Sequence, residues 1–282
     1  KILTIGGATQ DVFLSLADTK NIELDLVGIK QKFLLLPEGR KLEISNLYYA
    51  TGGGATNTSV SFQKLGFDVE TFFKIGKDQI GEFIVADLKK NNIKIDNISR
   101  SDKHSSGISF ILPSPNGDRT VLAYRGANEN ITLEDINLNL FKNKDLVFIG
   151  PLSGKSISVL LTCLETAKIN NSLVALNPSK SELISNQEIL QKSLKKTDIL
   201  FMNIYESKLI SKKLFNSELT EKILVQKLLN MGPKVIVITA GKAGVFVGFE
   251  DIVYFHKSLS TKVVNTVGAG DAFATAFSSV LL

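Results

Sequence analysis

Thr261-Lys-Val-Val-Asn-Thr-Val-Gly-Ala-Gly-Asp-Ala-Phe-Ala-Thr-Ala-Phe277 lies near the end of a 282-residue chain. It reads as a short apolar strand ending at Val264, a glycine turn, and a helix that begins near Ala269. The first N–H groups of a helix have no partner within it, and here they belong to Gly268, Ala269 and Gly270. With the positive end of the helix dipole, about half a unit charge, they form a cradle for a phosphate-like anion. Glycine at 268 and 270 frees the turn's dihedrals and lets a ligand approach the backbone closely. Asp271 follows at once, a carboxylate in the first turn. An anion cradle beside a fixed base is what transfer of a phosphoryl group to a hydroxyl requires.

Taken alone, the turn has other readings. A dinucleotide-binding loop would carry a third glycine where Phe273 stands, and would sit in an early βαβ unit with an acid downstream, whereas only eleven residues follow Asp271. A strand-to-helix turn without a ligand is the plainer alternative. The rest of the chain decides between them.

Ala50-Thr-Gly-Gly-Gly-Ala-Thr-Asn-Thr-Ser-Val-Ser-Phe-Gln-Lys-Leu-Gly66 is a glycine-rich turn opening an amphipathic helix, with Val60, Phe62 and Leu65 available for burial. No Gly-Lys-[Ser/Thr] closes the turn, which excludes a Walker loop. The amide of Asn57 both donates and accepts, as recognition of hydroxyl groups demands. Asn203-Ile-Tyr-Glu206 follows an apolar run. Its Asn and Glu share a helix face at i and i+3, suited to a magnesium water shell and equally to a capping box.

Asn265-Thr-Val-Gly-Ala-Gly-Asp-Ala-Phe273 resembles the C-terminal signature of the ribokinase, or PfkB, family of carbohydrate and nucleoside kinases, with Asn265 in place of the usual leading Asp. Gly52-Gly53-x-Ala55-x-Asn57, followed by Leu65-Gly66, resembles the family's N-terminal GG-x-x-x-N signature. Gly76-Lys-Asp78 with Gly81, Asn203-x-x-Glu206 and Thr239-Ala-Gly241 resemble its G-x-D-x-x-G, N-x-x-E and T-x-G segments, in the family's order. The resemblance implies a ribokinase-like three-layer α/β/α sandwich with a mostly parallel central sheet and a small β lid. It implies ATP-dependent phosphorylation of a hydroxymethyl group on a sugar or nucleoside. Asp271 is then the catalytic base, and the amides of Gly268, Ala269 and Gly270 form the anion hole. Asp11, Gly53, Asn57 and Arg125 fall where the acceptor binds. Asn203, Thr239, Gly241, Gly268 and Gly270 fall where the nucleotide binds, with Mg2+ held through water by Asn203 and Glu206. Potassium (K+) dependence stays open, because the family's monovalent-cation loops flank Gly268–Asp271 and only the upstream one lies in this sequence. A nucleoside kinase of the same family, and a non-catalytic sugar- or nucleotide-binding relative, are the remaining alternatives; the intact Asp271 speaks against the second.

From Asp145 onward short apolar runs alternate with helical stretches, the pattern of a parallel sheet covered on both faces. The strands are Leu146–Ile149, Leu173–Leu176, Ile199–Met202 and Val235–Thr239; the helices are Lys155–Asn170, Gln187–Lys195, Tyr205–Lys213 and Glu218–Met231. Earlier, Lys1–Ile5 is a strand, and Val69–Lys74 with Asp78–Asn91 a strand and helix. Residues 11–49 and 106–125 are strand-rich, with Val12–Leu16, Phe33–Leu36, Lys41–Ile44, Gly107–Leu112 and Arg119–Tyr124, and a hairpin turn at Asn116-Gly117. By the resemblance these two insertions form the lid and a homodimer contact, leaving 1–10, 50–105 and 126–282 as the core. Lys180, in Asn177-Pro-Ser-Lys180 at a strand end, reads as a solvated lysine.

Composition sets bounds on all this. Hydrophobic residues make up 44% and charged residues 22%, an ordinary globular balance. The net charge of +5 comes from dispersed lysine, with arginine only at 40, 100, 119 and 125, so no nucleic-acid surface is indicated. The single Cys163 and two histidines, His104 and His256, leave no disulfide and little material for a zinc centre or Ser-His-Asp triad. No apolar run reaches membrane-spanning length and no signal peptide opens the sequence, which sets the expectation of a cytoplasmic protein without a membrane partner. The sequence starts inside a strand and stops inside the helix that Asp271 opens, which reads as a trimmed form of a longer protein.

Overall fold

The computed structural model describes residues 1–16, 20–26, 29–114, 119–184, 186–261, 263 and 266–282. The expected strand end at Val264, Asn265 and the Asn116-Gly117 turn lie outside them. Strands β1 (Ile2–Ile5), β2 (Thr9–Leu16), β3 (Lys20–Leu26), β4 (Ile29–Leu35) and β5 (Ile44–Gly52) lead into helix α1 (Gly54–Lys64). Next come β6 (Val69–Phe72), β7 (Lys74–Gly76), α2 (Gln79–Lys90), β8 (Ser99–Ser101), β9 (Gly107–Pro113) and β10 (Arg119–Tyr124). The alternating part comprises β11 (Leu146–Ile149), α3 (Leu160–Ile169), β12 (Leu173–Leu176), α4 (Lys180–Leu183), α5 (Gln187–Lys196), β13 (Ile199–Asn203), α6 (Ile204–Phe215), α7 (Glu221–Leu229) and β14 (Val235–Thr239). The chain ends with β15 (Val245–Phe249), β16 (Ile252–His256) and α8 (Ala269–Ser279).

Eight strands form the central sheet in the order β16-β15-β14-β13-β12-β11-β1-β6. From β14 to β6 every pairing is parallel; β15 and β16 add an antiparallel edge. That edge is absent from the strands read in the sequence. Its hairpin turns through Glu250 and Asp251, with φ of 47° and 64°, the left-handed pair that a tight two-residue connection demands.

Side chains alternate across the strands, so each strand feeds both layers. Ile2, Phe148, Ala175, Phe201 and Val237 face α1 and α8, where Phe62 and Ala274 close the packing. Leu3, Val147, Val174, Leu200 and Ile236 face the opposite way, against Leu164 of α3, Leu194 of α5, Ile210 of α6 and Leu228 of α7. Each such side chain, fully buried, contributes about 1.5–3 kcal/mol. The result is the expected α/β/α sandwich. Phe62 is buried as expected, but Leu65 is not: α1 ends at Lys64, and Leu65, its C-cap, is 50% exposed. The first turns expected of the helix at Lys155 are a 3-10 segment, Gly154–Val159, ahead of α3.

The two strand-rich insertions meet in a second sheet, ordered β10-β9-β2-β5. β2 pairs parallel with β9 and antiparallel with β5. β3 and β4 form a separate hairpin, of which the sequence reading contained only the second strand. Among the described residues no helix is long and apolar enough to cross a membrane.

Candidate active site

The chain leaves β1 for β6 on one side of the sheet and returns to β11 on the other, so the order reverses between β1 and β11. Crevices at such reversal points, beyond the C-terminal strand ends, are where open α/β sheets bind ligands. The N-terminus of α1 fills this one. A Cβ on Gly6, after β1, would lie 3.1 Å from Ala55 N, and one on Gly54 would lie 2.9 Å from Pro151 Cδ, after β11. Gly53, the N-cap of α1, has φ 109°, and a Cβ there would lie 2.3 Å from Gly7 O. Only glycine fits a position that is both at a positive φ that side chains rarely adopt and already full.

Asp11 stands beside this turn on β2. A Cβ on Gly52 would fall 2.1 Å from its Oδ2, so glycine at 52 is what leaves room for the carboxylate. Thr9 Oγ1 donates to Asp11 Oδ1 at 3.0 Å. Burial raises the Asp11 pKa above the usual carboxylate value, while hydrogen bonds from Thr9 and Ser109 pull the other way. Neither Thr9 nor Ser109 was evident from sequence, because their role comes from strand pairing: Ser109 is Asp11's direct neighbour in register on β9.

Helix α8 packs alongside α1 and brings Asp271 to its first turn. Asn57 Nδ2 donates to Asp271 Oδ2 at 2.8 Å. Gly268, the N-cap of α8, has φ 74°, and the position of its absent Cβ lies 3.8 Å from Asn57 Nδ2. At Gly270 the same position is open space. Among the described residues no backbone carbonyl accepts from the N–H of Gly270 or Asp271. The expected cradle also counted the amide of Ala269, whose N–H instead donates to Thr266 O at 3.3 Å. Burial raises the Asp271 pKa, partly offset by the Asn57 hydrogen bond.

Asn203 and Thr239 are side by side in register at the ends of β13 and β14. Asn203 caps α6: its Oδ1 accepts from Glu206 N at 2.9 Å, and Glu206 Oε2 accepts from Asn203 N at 2.8 Å. Burial raises the Glu206 pKa, the Asn203 bonds lower it, and the Asp271 charge raises it further, so Glu206 and Asp271 share one electrostatic environment. Gly241, φ 54°, has nothing where a Cβ would be. Arg125 is exposed, and its side chain makes no hydrogen bond or ion pair among the described residues. The structure thus groups Asn57, Gly268 and Asp271, places Asp11 and Gly53 at the same helix start, and leaves Arg125 outside these contacts. From the second sheet, Arg119 on β10 donates through Nη1 to Thr266 Oγ1, two residues ahead of Gly268.

A divalent cation fits this corner in one way only. Among the described residues no cluster of three His, Cys, Asp or Glu could hold a metal ion. The capping box already uses one oxygen each of Glu206 and Asn203. What remains suits the water shell of Mg2+, an ion that keeps several waters and takes few protein ligands beside substrate phosphates.

The N–H groups of Gly270 and Asp271, the Asp271 carboxylate and the Asn57 amide thus meet where α1 and α8 begin, beside the reversal point of the sheet. The chain belongs to the pfkB family of carbohydrate kinases, whose family model matches residues 15–282. It is 27% identical to a ribokinase of Staphylococcus aureus (strain COL) over 248 residues, covering 86% of this chain and 79% of that protein. It is 28% identical to a 5-dehydro-2-deoxygluconokinase of Clostridium perfringens over 276 residues, covering 88% and 80%. Among solved structures it resembles a Thermotoga maritima ribokinase, with TM-score 0.78 and 23% identity over 99% of this chain and 85% of that one. A Burkholderia thailandensis nucleoside kinase in complex with inosine matches with TM-score 0.78 and 15% identity, over 100% and 84%. The fold is that of ribokinase, and the family is one of sugar and nucleoside kinases.

Proposed function

We propose that the protein transfers the γ-phosphoryl group of ATP to a hydroxymethyl group of a sugar, with Asp271 as general base. The observation that carries this reading is the Asn57–Asp271 hydrogen bond, which joins the proposed acceptor-binding amide to the proposed base. Asp11, Gly53 and Asn57 orient the acceptor, with Arg125 closing over it from the lid hinge. As its hydroxyl oxygen approaches the γ-phosphorus, Asp271 takes the proton, and the amides of Gly268, Ala269 and Gly270 stabilise the charge developing on the transferred group. Asn203, Thr239 and Gly241 line the donor side, and Asn203 and Glu206 hold waters of Mg2+. When bound, Mg2+ neutralises charge on the donor's phosphates. Residues 11–49 and 106–125 act as the lid over a core of 1–10, 50–105 and 126–282, two copies associate through the lids, and the protein works in the cytoplasm.

The test is ATP consumption with saturating Mg2+ across a panel of sugars and nucleosides, with and without K+, beside Asp271→Asn. Turnover on a sugar, abolished in the variant, is the expected result. Turnover confined to nucleosides would move the acceptor class. A protein that binds sugar or ATP without turning over would be the non-catalytic relative instead.

A further inference from the structure

Strands β11, β12 and β13 are neighbours in the sheet, and the segments beyond their C-terminal ends carry Leu152, Ser179 and Glu206 in turn. One side chain stands among all three. Glu182 Oε2 accepts from Ser179 N and, at 3.4 Å, from Leu152 N. Ser179 Oγ donates to Leu152 O and accepts from Glu182 N at 3.1 Å. These bonds knot the loop after β11 to the loop after β12. On the other side, α4 packs against α6, and the Glu206 charge acts on Glu182. The knot also reaches the acceptor corner. A Cβ on Gly150 would lie 3.2 Å from Gly54 Cα, so the loop that Glu182 holds is wedged against the first residue of α1. Asn57 follows in the first turn of that helix.

Capping a four-residue helix does not by itself call for a buried carboxyl, and Glu182 is only 2% exposed. Burying such a group is costly unless its hydrogen bonds are met. The cost is matched by position, because Glu182 lies between the two halves of the proposed site.

We infer that Glu182 is a positioning residue for phosphoryl transfer: it touches no reacting atom and fixes the spacing between the α1 start, with Asn57, and the Asn203–Glu206 corner. This rests on the kinase reading above. Three variants separate the roles. Glu182→Gln keeps an oxygen that can accept from Ser179 and Leu152. Glu182→Asp keeps the carboxylate and withdraws it by one methylene. Glu182→Ala removes it.

Misplacement of reacting groups by about 1 Å can cost on the order of 100-fold in rate. The expected result is kcat close to wild type for Glu182→Gln and about 10- to 100-fold lower for Glu182→Asp and Glu182→Ala, with smaller change in acceptor KM. A purely structural role would change melting temperature and leave kcat per folded molecule intact. A folded Glu182→Asp variant with wild-type kcat, or Glu182→Gln as slow as Glu182→Asp, overturns the inference. If Glu182→Ala does not fold, the Gln and Asp pair decides. If the wild type itself shows no turnover, the kinase reading falls, and amide hydrogen exchange over residues 203–209 judges the strut. Faster exchange there in Glu182→Asp supports it, and unchanged exchange overturns it.

Discussion

Asn57 and Asp271, 214 positions apart in sequence, meet in a hydrogen bond of 2.8 Å between the first turns of two adjacent helices. The bond ties the proposed acceptor-binding amide to the proposed base and fixes the orientation of both. Replacing Asp271 with Asn keeps the shape and removes the proton acceptor. We expect Asp271→Asn to fold with unchanged melting temperature and to lose about 10²–10⁴ in kcat, measured as ATP consumption. Wild-type turnover in this variant would remove Asp271 from the role of base.

The same bond sets a pH dependence. Burial raises the Asp271 pKa and the Asn57 donor lowers it. A base must be ionised, so activity falls as pH drops through this raised pKa. The Asp271 charge in turn raises the Glu206 pKa. Asn57→Ala removes the lowering contribution, and the acid limb of the kcat profile is expected to move to higher pH. A limb that stays in place, with only KM affected, would show that Asn57 acts on the acceptor alone.

Stability carries its own pH signature through Glu182. Burial above all, together with the Glu206 charge, pushes its carboxyl up to about 8 despite the bonds from Ser179 and Leu152. A group whose folded pKa lies above its unfolded value adds stability that is complete below the unfolded pKa and is lost as pH rises through the folded one. Between the ordinary value of 4.5 and about 8, the folded state should therefore lose up to about 5 kcal/mol on this account. Glu182→Gln cannot ionise, so its urea-unfolding free energy should fall less steeply across that window. Equal slopes for the two proteins would place Glu182 in a more polar setting.

Much of this was legible in the sequence because it is local. Gly268–Asp271, Gly52–Asn57 and Asn203–Glu206 each sit on a turn that opens a helix, where residue type dictates backbone geometry. The alternating segments after Asp145 announced the parallel sheet, since strands buried on both faces read as unbroken apolar runs. What escaped was made by tertiary pairing. The β15–β16 edge turns on Glu250 and Asp251 instead of glycine, so no turn signal marked it. Ser109 reaches Asp11 only through the β2–β9 register. Ser179-Lys-Ser-Glu182 does carry a capping-box pattern, but nothing in it marks Glu182 as buried. Helical periodicity does not reveal where a helix stops, so Leu65, which it places on the buried face, is instead the exposed C-cap of α1.

Gly53 tests whether the crevice depends on backbone alone. Its φ of 109° and the 2.3 Å separation between a Cβ there and Gly7 O leave no room for a side chain. Gly53→Ala should cost at least about 1–3 kcal/mol in chemical denaturation from backbone strain. It should also raise acceptor KM, since relief requires moving either the α1 start or the turn after β1. An alanine variant with wild-type stability would mean that the turn relaxes freely.

The second sheet, proposed as the lid, ends in an exposed edge. All six residues of β10, Arg119–Tyr124, are exposed, and one side of its backbone ladder has no partner strand within the described residues. Leu47, Phe110 and Leu122 share one face of the sheet by register, and Leu122 is 55% exposed. Unpaired edges and contiguous apolar patches of this kind are normally covered in a native protein. The proposed partner is a second copy of the chain, lid against lid. A charge at the centre of such a patch would have to be desolvated on association. Sedimentation velocity at micromolar concentration should therefore show a dimer for the wild type and a monomer for Leu122→Asp. Because Arg119 of the same strand reaches Thr266 beside the anion cradle, the monomeric variant should also turn over more slowly. A wild-type monomer would overturn the lid-mediated dimer, and a Leu122→Asp dimer would move the interface elsewhere on the surface.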